Sequence, residues 1–465
     1  MDQLTAMDAS FLYMESPSTL QHVLGVMLFD AAGSGGRFTT DRFREGLRSR
    51  LHLLPAFTRK LVDVPLHLDH PYWIRDADID LDEHLHVVQC PKPGDLEALG
   101  KLVGEIGSTM LPRDRPMWEL YLVEGMASGQ VALVSKMHHS TIYGSAGADM
   151  MAHLLDLTPE GRELEPPVAI EPEGKPSTVG LIARASAHSL RRPALAVQTV
   201  VNGVRQVGQM ASLVAGSVTS KAPMTLPFAA PKTLINGALT PARQAAFTTV
   251  DFADIKTVKE AYGTKVNDVV LALVTDALRG YFLSHDAMPS RPLIASCPMN
   301  LGAGAVEGTN KMSAMMVPLP VGTEDPVDRL REIAQATKDA KGFTDAIGPE
   351  IVGEISELVP ALIIKTGSKL YDGLGLSRLH PPLQSLVVSN MPGPPIPLYS
   401  AGARVDAVFP LGPLLPGTGL NITVLSNMGN LDVGLICCPD LVPDVWDIAN
   451  QFPAAINALL ERAPA

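Results

Sequence analysis

Two periodicities interleave along this chain, and that constrains its fold more than any other feature. Short runs rich in apolar and β-branched residues alternate with stretches of helical spacing, both before and after a Pro-rich middle. In the first flank, His22–Asp30 (HVLGVMLFD), Trp118–Glu124 (WELYLVE) and Val131–Met137 (VALVSKM) read as buried strands. Arg42–Leu54 and Asp95–Met110 read as amphipathic helices. In the second flank, Phe247–Phe252, Arg291–Pro298, Met312–Pro320, Leu386–Ser389 and Arg404–Phe409 read as strands. Leu420–Ser426 and Asn430–Cys438 read as a hairpin around Asn427-Met428-Gly429, and Ala253–Tyr262, Asn267–Leu283 and Asp444–Arg462 as helices. The class this implies is α/β (α+β) with two domains.

The middle of the chain differs in composition. Pro159–Ser177 is rich in Pro and Glu and reads as a linker. From Gly174 to Val250 there is no Asp or Glu, although the whole chain carries a net charge of −12. That stretch holds Lys175, Arg184, Arg191, Arg192, Arg205, Lys221, Lys232 and Arg243. Two readings fit: a strip facing an anionic partner, such as a phosphate-bearing molecule or an anionic lipid, or a linker without carboxylates. Likewise Leu181–Val218, apolar and basic, reads either as helices on a surface or as packing between domains. The expected division is 1–158, a linker over 159–233, and 234–465. The acidic balance argues against a general nucleic-acid binder. The first residues carry acids where a signal peptide needs Lys or Arg, and no apolar run is long enough to span a bilayer. Cys90, Cys297, Cys437 and Cys438 lack CxxC spacing, so free buried thiols and a cytoplasmic location are expected.

One place suggests chemistry. His138-His139 directly follows the Val131–Met137 strand and opens a polar loop, HHSTIYGSAG, before a helical run over Ala148–Leu157. Neutral imidazole is the usual general base near neutral pH. Consecutive residues at a strand end point to opposite sides, so one ring can face a cleft and the other the interior. The pair alone equally suits two ordinary polar residues. His84, His86, His138 and His139 form no HExxH pattern, so no metal is expected. A serine-hydrolase elbow GxSxG is absent, as are GxGxxG and GxxxxGK[ST].

The loop His138–Gly144 (HHSTIYG) is similar to the HHxxxDG motif of coenzyme A-dependent acyltransferases. More specifically, the chain resembles the bacterial wax ester synthase/diacylglycerol acyltransferase family along almost its whole length. Leu4–His22 resembles that family's opening. Arg115-Pro116-Met117-Trp118 resembles its Pro-Leu-Trp motif, with Met117 for Leu, and Thr264–Ala272 (TKVNDVVLA) its Asn-Asp motif. Gly308–Pro320, Val388–Pro397 and Leu420–Gly434 are similar to further family blocks.

The resemblance implies two chloramphenicol acetyltransferase-like domains with an active-site tunnel between them. It implies transfer of a long-chain acyl group from acyl-CoA to diacylglycerol, with long-chain alcohols as a second acceptor. It makes His139 the base and His138 its support. No cofactor is expected beyond acyl-CoA as substrate, and contact with a membrane or lipid droplet would be peripheral. Alcoholysis of a thioester needs the hydroxyl proton removed during attack and then returned to the leaving thiolate, so no covalent enzyme intermediate is required. Asn267 at a helix start suits an oxyanion donor, and equally a helix cap. Asp268 reads as an orienting group or as part of the same terminus. Trp118 reads as a wall for a lipid chain or as a core residue, and Glu15 as an active-site contact or as a cap or ion pair. Ser389–Pro395 (SNMPGPP) is a stiff turn, at a tunnel wall or simply structural. Gly144 completes the motif, whereas Tyr143 replaces its Asp. In the family that Asp shapes the loop through a salt bridge, so its loss leaves a basic partner to be accounted for. Besides the leading reading, the sequence leaves open an acyltransferase for another lipid or glycolipid alcohol, and a non-catalytic acyl-CoA- or lipid-binding relative.

Overall fold

The computed structural model describes residues 1–76, 78–142, 151–162, 170–189, 230–300, 312–347, 366–367, 370 and 380–464. Its strands are β1 (Asp2–Gln3), β2 (His22–Asp30), β3 (Arg59–Val62), β4 (Tyr72–Arg75), β5 (Leu85–Gln89), β6 (Trp118–Glu124), β7 (Val131–His138) and β8 (Gln244–Asp251). They continue with β9 (Leu293–Asn300), β10 (Met312–Leu319), β11 (Leu386–Met391), β12 (Tyr399–Ser400), β13 (Ala403–Leu411), β14 (Leu420–Asn427) and β15 (Asn430–Cys437). The helices are α1 (Ala6–Met14), α2 (Thr40–Arg50), α3 (Pro55–Thr58), α4 (Leu96–Gly107), α5 (Thr178–Ser189), α6 (Phe252–Tyr262), α7 (Val266–Ser284), α8 (Pro326–Ile347), α9 (Val445–Ala449) and α10 (Phe452–Leu460).

Two six-stranded sheets dominate, in the orders β12-β13-β2-β7-β6-β5 and β10-β9-β11-β14-β15-β8. The alternation along β2 explains why the first is covered on both faces. Leu24, Val26 and Leu28 join Leu99 and Val103 of α4 in one core cluster. Met27 and Phe29 join Phe43 and Leu47 of α2 in another. The second sheet buries its inner face under α7, whose Val269, Val270, Leu273, Val274, Ala277, Leu278 and Tyr281 recur at helical spacing. Strand and hairpin positions match the sequence reading closely, and the mixed class is the observed one.

The division at 233/234 does not separate the sheets. β13, from the second flank, pairs antiparallel with β2, with Leu411 opposite Leu24 and Val408 opposite Met27. Residues 1–158 therefore do not close their own sheet. The physical reason is edge protection: β2 is apolar and buried, and without β13 its backbone donors and acceptors would form an exposed edge. The halves also meet through glycine. A Cβ on Gly100 would lie 2.3 Å from the Ala245 carbonyl oxygen, and one on Gly104 2.2 Å from that of Arg243, so α4 approaches β8 only without side chains.

Three further differences have local causes. The run Asp444–Arg462 breaks into α9 and α10, because Pro453 in the first turn of α10 brings no N–H to continue α9. α1, α8 and the small β1-β4-β3 sheet were not foreseen. Of the middle segment, α5 packs Leu181 and Ala185 against Val62, Val64, Tyr72 and Ile74 on that small sheet. Its His188 Nδ1 meets Asp69 Oδ2 at 2.7 Å. Residues 190–229, with Arg191, Arg192, Arg205 and Lys221, lie outside the described residues. Arg243 is not a strip residue facing outward. It is buried and donates to the carbonyls of Thr240, Ala242 and Ser18. All four cysteines are free and buried.

Candidate active site

The site forms where β2 and β7 end together. His22 is the register partner of His138, and the next main-chain bond runs from His139 N–H to Gln21 O at 2.8 Å. Pleating then assigns the side chains to two sides: His22 with His138, and Gln21 with His139. α1 crosses this end. Thr5 caps it by accepting from Asp8 N–H, and Glu15 terminates it. Phe11 and Glu15, one helical turn apart, reach the two histidines from the same helix.

On the His138 side lies a buried polar cluster. Glu15 Oε2 accepts from Arg113 at 2.6 Å. Glu15 Oε1 lies 3.2 Å from His22 Nε2 and 3.4 Å from His138 Nε2. These two approaches are electrostatic contacts rather than aligned hydrogen bonds, because neither Oε1 nor His138 Nε2 has a partner at bonding geometry. His138 Nδ1 accepts from the Ser140 main-chain N–H at 3.1 Å and sits 2.7 Å from the Ser140 hydroxyl. A main-chain N–H can only donate, so the neutral ring carries its proton on Nε2, facing Glu15. Burial alone would raise the Glu15 carboxyl; the imidazoles and Arg113 outweigh it and hold Glu15 well below the usual carboxylate range. Burial lowers His138 and His22, only partly offset by Glu15, so both rings are neutral at pH 7.

His139 faces different surroundings. Its ring stacks on Phe11 with centroids 3.9 Å apart and 21° between planes. Its Nδ1 is buried without a hydrogen-bond partner. Burial, with a smaller contribution from His138, pushes its pKa down to about 4. At neutral pH it is free imidazole, the form that accepts a proton. Among the described residues, no carboxylate contacts it directly. Glu15 instead faces His138, whose Nδ1 accepts from the Ser140 N–H of the turn that His139 opens.

The remaining candidates separate. Trp118 belongs to the core: it is fully buried, donates from Nε1 to Phe57 O at 3.0 Å, and stacks on His84. Asp268 is structural. Its Oδ2 accepts from Lys265 N–H at 2.9 Å, and its Oδ1 from the Thr337 hydroxyl of α8 at 2.6 Å. Asn267 is therefore not the cap of α7; it lies half-buried in the first turn with Asp268 capping beside it. Among the described residues, no hydrogen bond or ring contact joins Asn267 to His138 or His139. Gly393, in the SNMPGPP turn, donates to Ser426 Oγ at 3.1 Å, and a Cβ there would meet the Ser426 carbonyl at 2.1 Å, so the turn is packed onto β14. Tyr143 and Gly144 lie outside the described residues, as do residues 308–311 of the Gly308–Pro320 block, whose remainder forms β10 and its end. The buried basic side chains that are described, Arg50, Lys136, Arg243 and Arg329, all have anionic or carbonyl partners. None of them is the basic group that the exchange of Asp for Tyr143 would leave unpaired.

Sequence reasoning missed His22, Arg113, Phe11 and Gln21. Two were legible in principle: reading β2 and β7 as antiparallel neighbours places His22 opposite His138 and Gln21 opposite His139. Arg113 carries no local signal.

A half-buried, neutral histidine stands at the end of a mixed sheet, next to a second histidine that faces an ionised carboxylate, and its form is one that can accept a proton. The comparisons give the chain a family. The model of the wax ester synthase/diacylglycerol acyltransferase catalytic domain matches residues 4–270, and that of the WS/DGAT C-terminal domain matches residues 308–460. The Mycobacterium tuberculosis H37Rv protein named "Putative diacyglycerol O-acyltransferase Rv1760" is 36% identical over 99% of this chain and 90% of its own length. A second from the same strain, "Probable diacyglycerol O-acyltransferase tgs2", is 32% identical over 99% of each. The solved wax ester synthase/diacylglycerol acyltransferase from Marinobacter aquaeolei VT8 superposes with a TM-score of 0.70 at 25% identity, covering both chains fully. The first condensation domain of the CDA synthetase shares the fold, with a TM-score of 0.56 at 14% identity. The chain belongs to the wax ester synthase/diacylglycerol acyltransferase family and is an acyltransferase.

Proposed function

We propose that the protein transfers a long-chain acyl group from acyl-CoA to the free hydroxyl of diacylglycerol, with His139 as general base. The observation that carries this reading is the neutral, largely buried His139 held at a strand end beside neutral His138 and the ionised Glu15 that faces it. In the forward step the acceptor oxygen attacks the thioester carbonyl as His139 takes its proton. Collapse of the tetrahedral intermediate expels CoA thiolate, to which His139 returns the proton. Acyl-CoA brings its own activated acyl group, so the cycle calls for no resident cofactor. Asn267 is proposed as an oxyanion donor, supported by its place at the positive end of α7 and by Asp268 having taken the capping task.

Membrane contact is part of the proposal. No helix among the described residues is long and apolar enough to cross a bilayer. Leu66 is 78% exposed and Val179 77%, and their two segments touch. With Leu68, Ile182 and exposed Arg184 they support peripheral docking on an anionic membrane or droplet surface, on the cytoplasmic side.

The test measures thiol release from a long-chain acyl-CoA with diacylglycerol, a long-chain alcohol, a glycolipid alcohol or no acceptor. Release that depends on diacylglycerol and yields triacylglycerol is expected. Release only with the glycolipid alcohol would redirect the acceptor. Acyl-CoA binding without release for any acceptor would replace catalysis with binding.

A further inference from the structure

Gln21 is fully buried, yet neither Nε2 nor Oε1 of its carboxamide has a hydrogen-bond partner. That is unusual for a native interior, because an amide removed from water without partners destabilises the fold. Its main-chain carbonyl receives the His139 N–H, and pleating sets its side chain on His139's side of the sheet end. There the Nδ1 of His139 is also buried and unpartnered. On the opposite side, Arg113 satisfies Glu15 Oε2, while Glu15 Oε1 and His138 Nε2 face each other without aligned partners, as His22 Nδ1 is beside them. Beside His139, the Gln21 amide has no such facing charge among the described residues, and both its polar atoms are left open.

Resting on the acyl-transfer reading above, we infer that Gln21 is a specificity-determining residue that binds the acceptor beside its attacking hydroxyl and favours glycerides over simple alcohols. The argument is one of matching groups. A long-chain alcohol has a single oxygen, and that hydroxyl is engaged by His139. It leaves the Gln21 amide unpartnered in the complex. A diacylglycerol carries ester carbonyl oxygens next to its free hydroxyl. These are acceptors only, and they suit the two N–H groups of Nε2. A site built to hydrogen-bond a substrate group discriminates against the analogue that lacks it, since its own buried polar atoms are then left unpaired. The amide is thus held unsatisfied in the free protein and satisfied by one acceptor class.

The experiment compares wild type with Gln21→Met and Gln21→Glu, using oleoyl-CoA with dioleoylglycerol or hexadecanol as acceptor. Methionine keeps the length and removes the polar atoms. Its loss of kcat/KM with dioleoylglycerol is expected to exceed its loss with hexadecanol by about tenfold, mostly in KM. Gln21→Glu, which lacks the donors, is expected to shift the ratio in the same direction. The melting temperature of Gln21→Met is expected to stay level or rise, because an unpartnered amide has been replaced by an apolar chain. Equal losses with both acceptors, an unmoved ratio, or a marked fall in melting temperature would each overturn the inference. A wild type that transfers to neither acceptor would instead overturn the acyl-transfer reading on which it rests.

Discussion

Glu15 and Asp432 are both buried carboxylates, one at the end of the first sheet and one inside the second, and they are satisfied differently. Asp432 accepts from Val408 N–H at 2.8 Å, the Thr249 hydroxyl at 2.9 Å and Asn427 Nδ2 at 3.1 Å. It bridges β15, β8 and β13, so it latches the two sheets together. Burial raises its pKa, and these donors pull it back only in part. Glu15 has one good partner, Arg113, and leaves Oε1 between two imidazoles without an aligned bond. Beside it, His22 and His138 also keep buried polar atoms without partners, as do Gln21 and His139 on the other side of the sheet end. A closed network fixes one structure; an open one keeps polar groups available to something else. The difference separates a carboxylate closed into the fold from one left open beside the histidines.

The sharpest way to break that contrast is to remove the proposed base. His139→Ala is expected to lower acceptor-dependent CoA release by about a thousandfold, while the unfolding midpoint stays nearly unchanged. Turnover within a few-fold of wild type would move the base elsewhere. The acid limb gives a second readout. With its pKa near 4, His139 remains neutral well below pH 6.5, so kcat/KM should stay level down to about pH 5 and fall only as His139 protonates. A limb centred near 6.5 would mean that the ring is not desolvated as described.

Asp432→Ala tests the other side. Three donors lose their acceptor, and the expected cost is about 3 kcal/mol of stability in denaturant unfolding. Activity per folded molecule should be retained. A selective loss of activity at unchanged stability would erase the distinction between the two carboxylates. Glu15→Gln should act in the opposite way, lowering kcat by about tenfold as His138 loses the anion facing its Nε2. Its stability effect has a defined sign. The folded pKa of Glu15 lies below the unfolded value near 4.5, so its contribution is complete above that pH and is lost as pH falls towards the folded value. The stability gap between wild type and variant should therefore narrow below about pH 4.5. A gap that is constant down to pH 3 would show that Glu15 is not held ionised.

Much of the fold was legible because local pattern set it. β2 and β6 begin and end where their sequences alternate, and the β14–β15 hairpin turns at Asn427-Met428-Gly429. What escaped was decided at a distance. Nothing within Arg404–Phe409 says that this strand completes the sheet of the other flank, since that depends on which edge needs covering. α8 was missed because its sequence, PVDRLREIAQATKDAKGFTDAI, is polar around most of its surface and buries only a narrow stripe. At the site, His138 and His139 were found through a motif. Arg113 is 98 residues from Glu15, and His22 lies opposite His138 across the β2–β7 pair, so only the fold brings them in. Trp118 shows the converse. A motif position drew attention to it, and the fold uses it as core.

The smallest expected cost in stability falls on one of two neighbours on a single helix. Asp268 accepts from Lys265 N–H and from Thr337, so it closes the first turn of α7 and ties it to α8. Asn267, one residue earlier, makes no described bond to the histidines and has no capping task. If the two serve different ends, Asp268→Ala should cost about 1 kcal/mol in unfolding free energy, typical of a lost cap, and leave kcat within a few-fold. Asn267→Ala should leave stability level and lower kcat by about a hundredfold, as expected for a lost oxyanion donor. The pair is informative because a displaced helix would lower activity in both variants. Equal losses of kcat would mean that the position of α7 matters and the Asn267 amide does not. A split, with stability following Asp268 and turnover following Asn267, would extend the contrast between Asp432 and Glu15 to adjacent residues of a single turn.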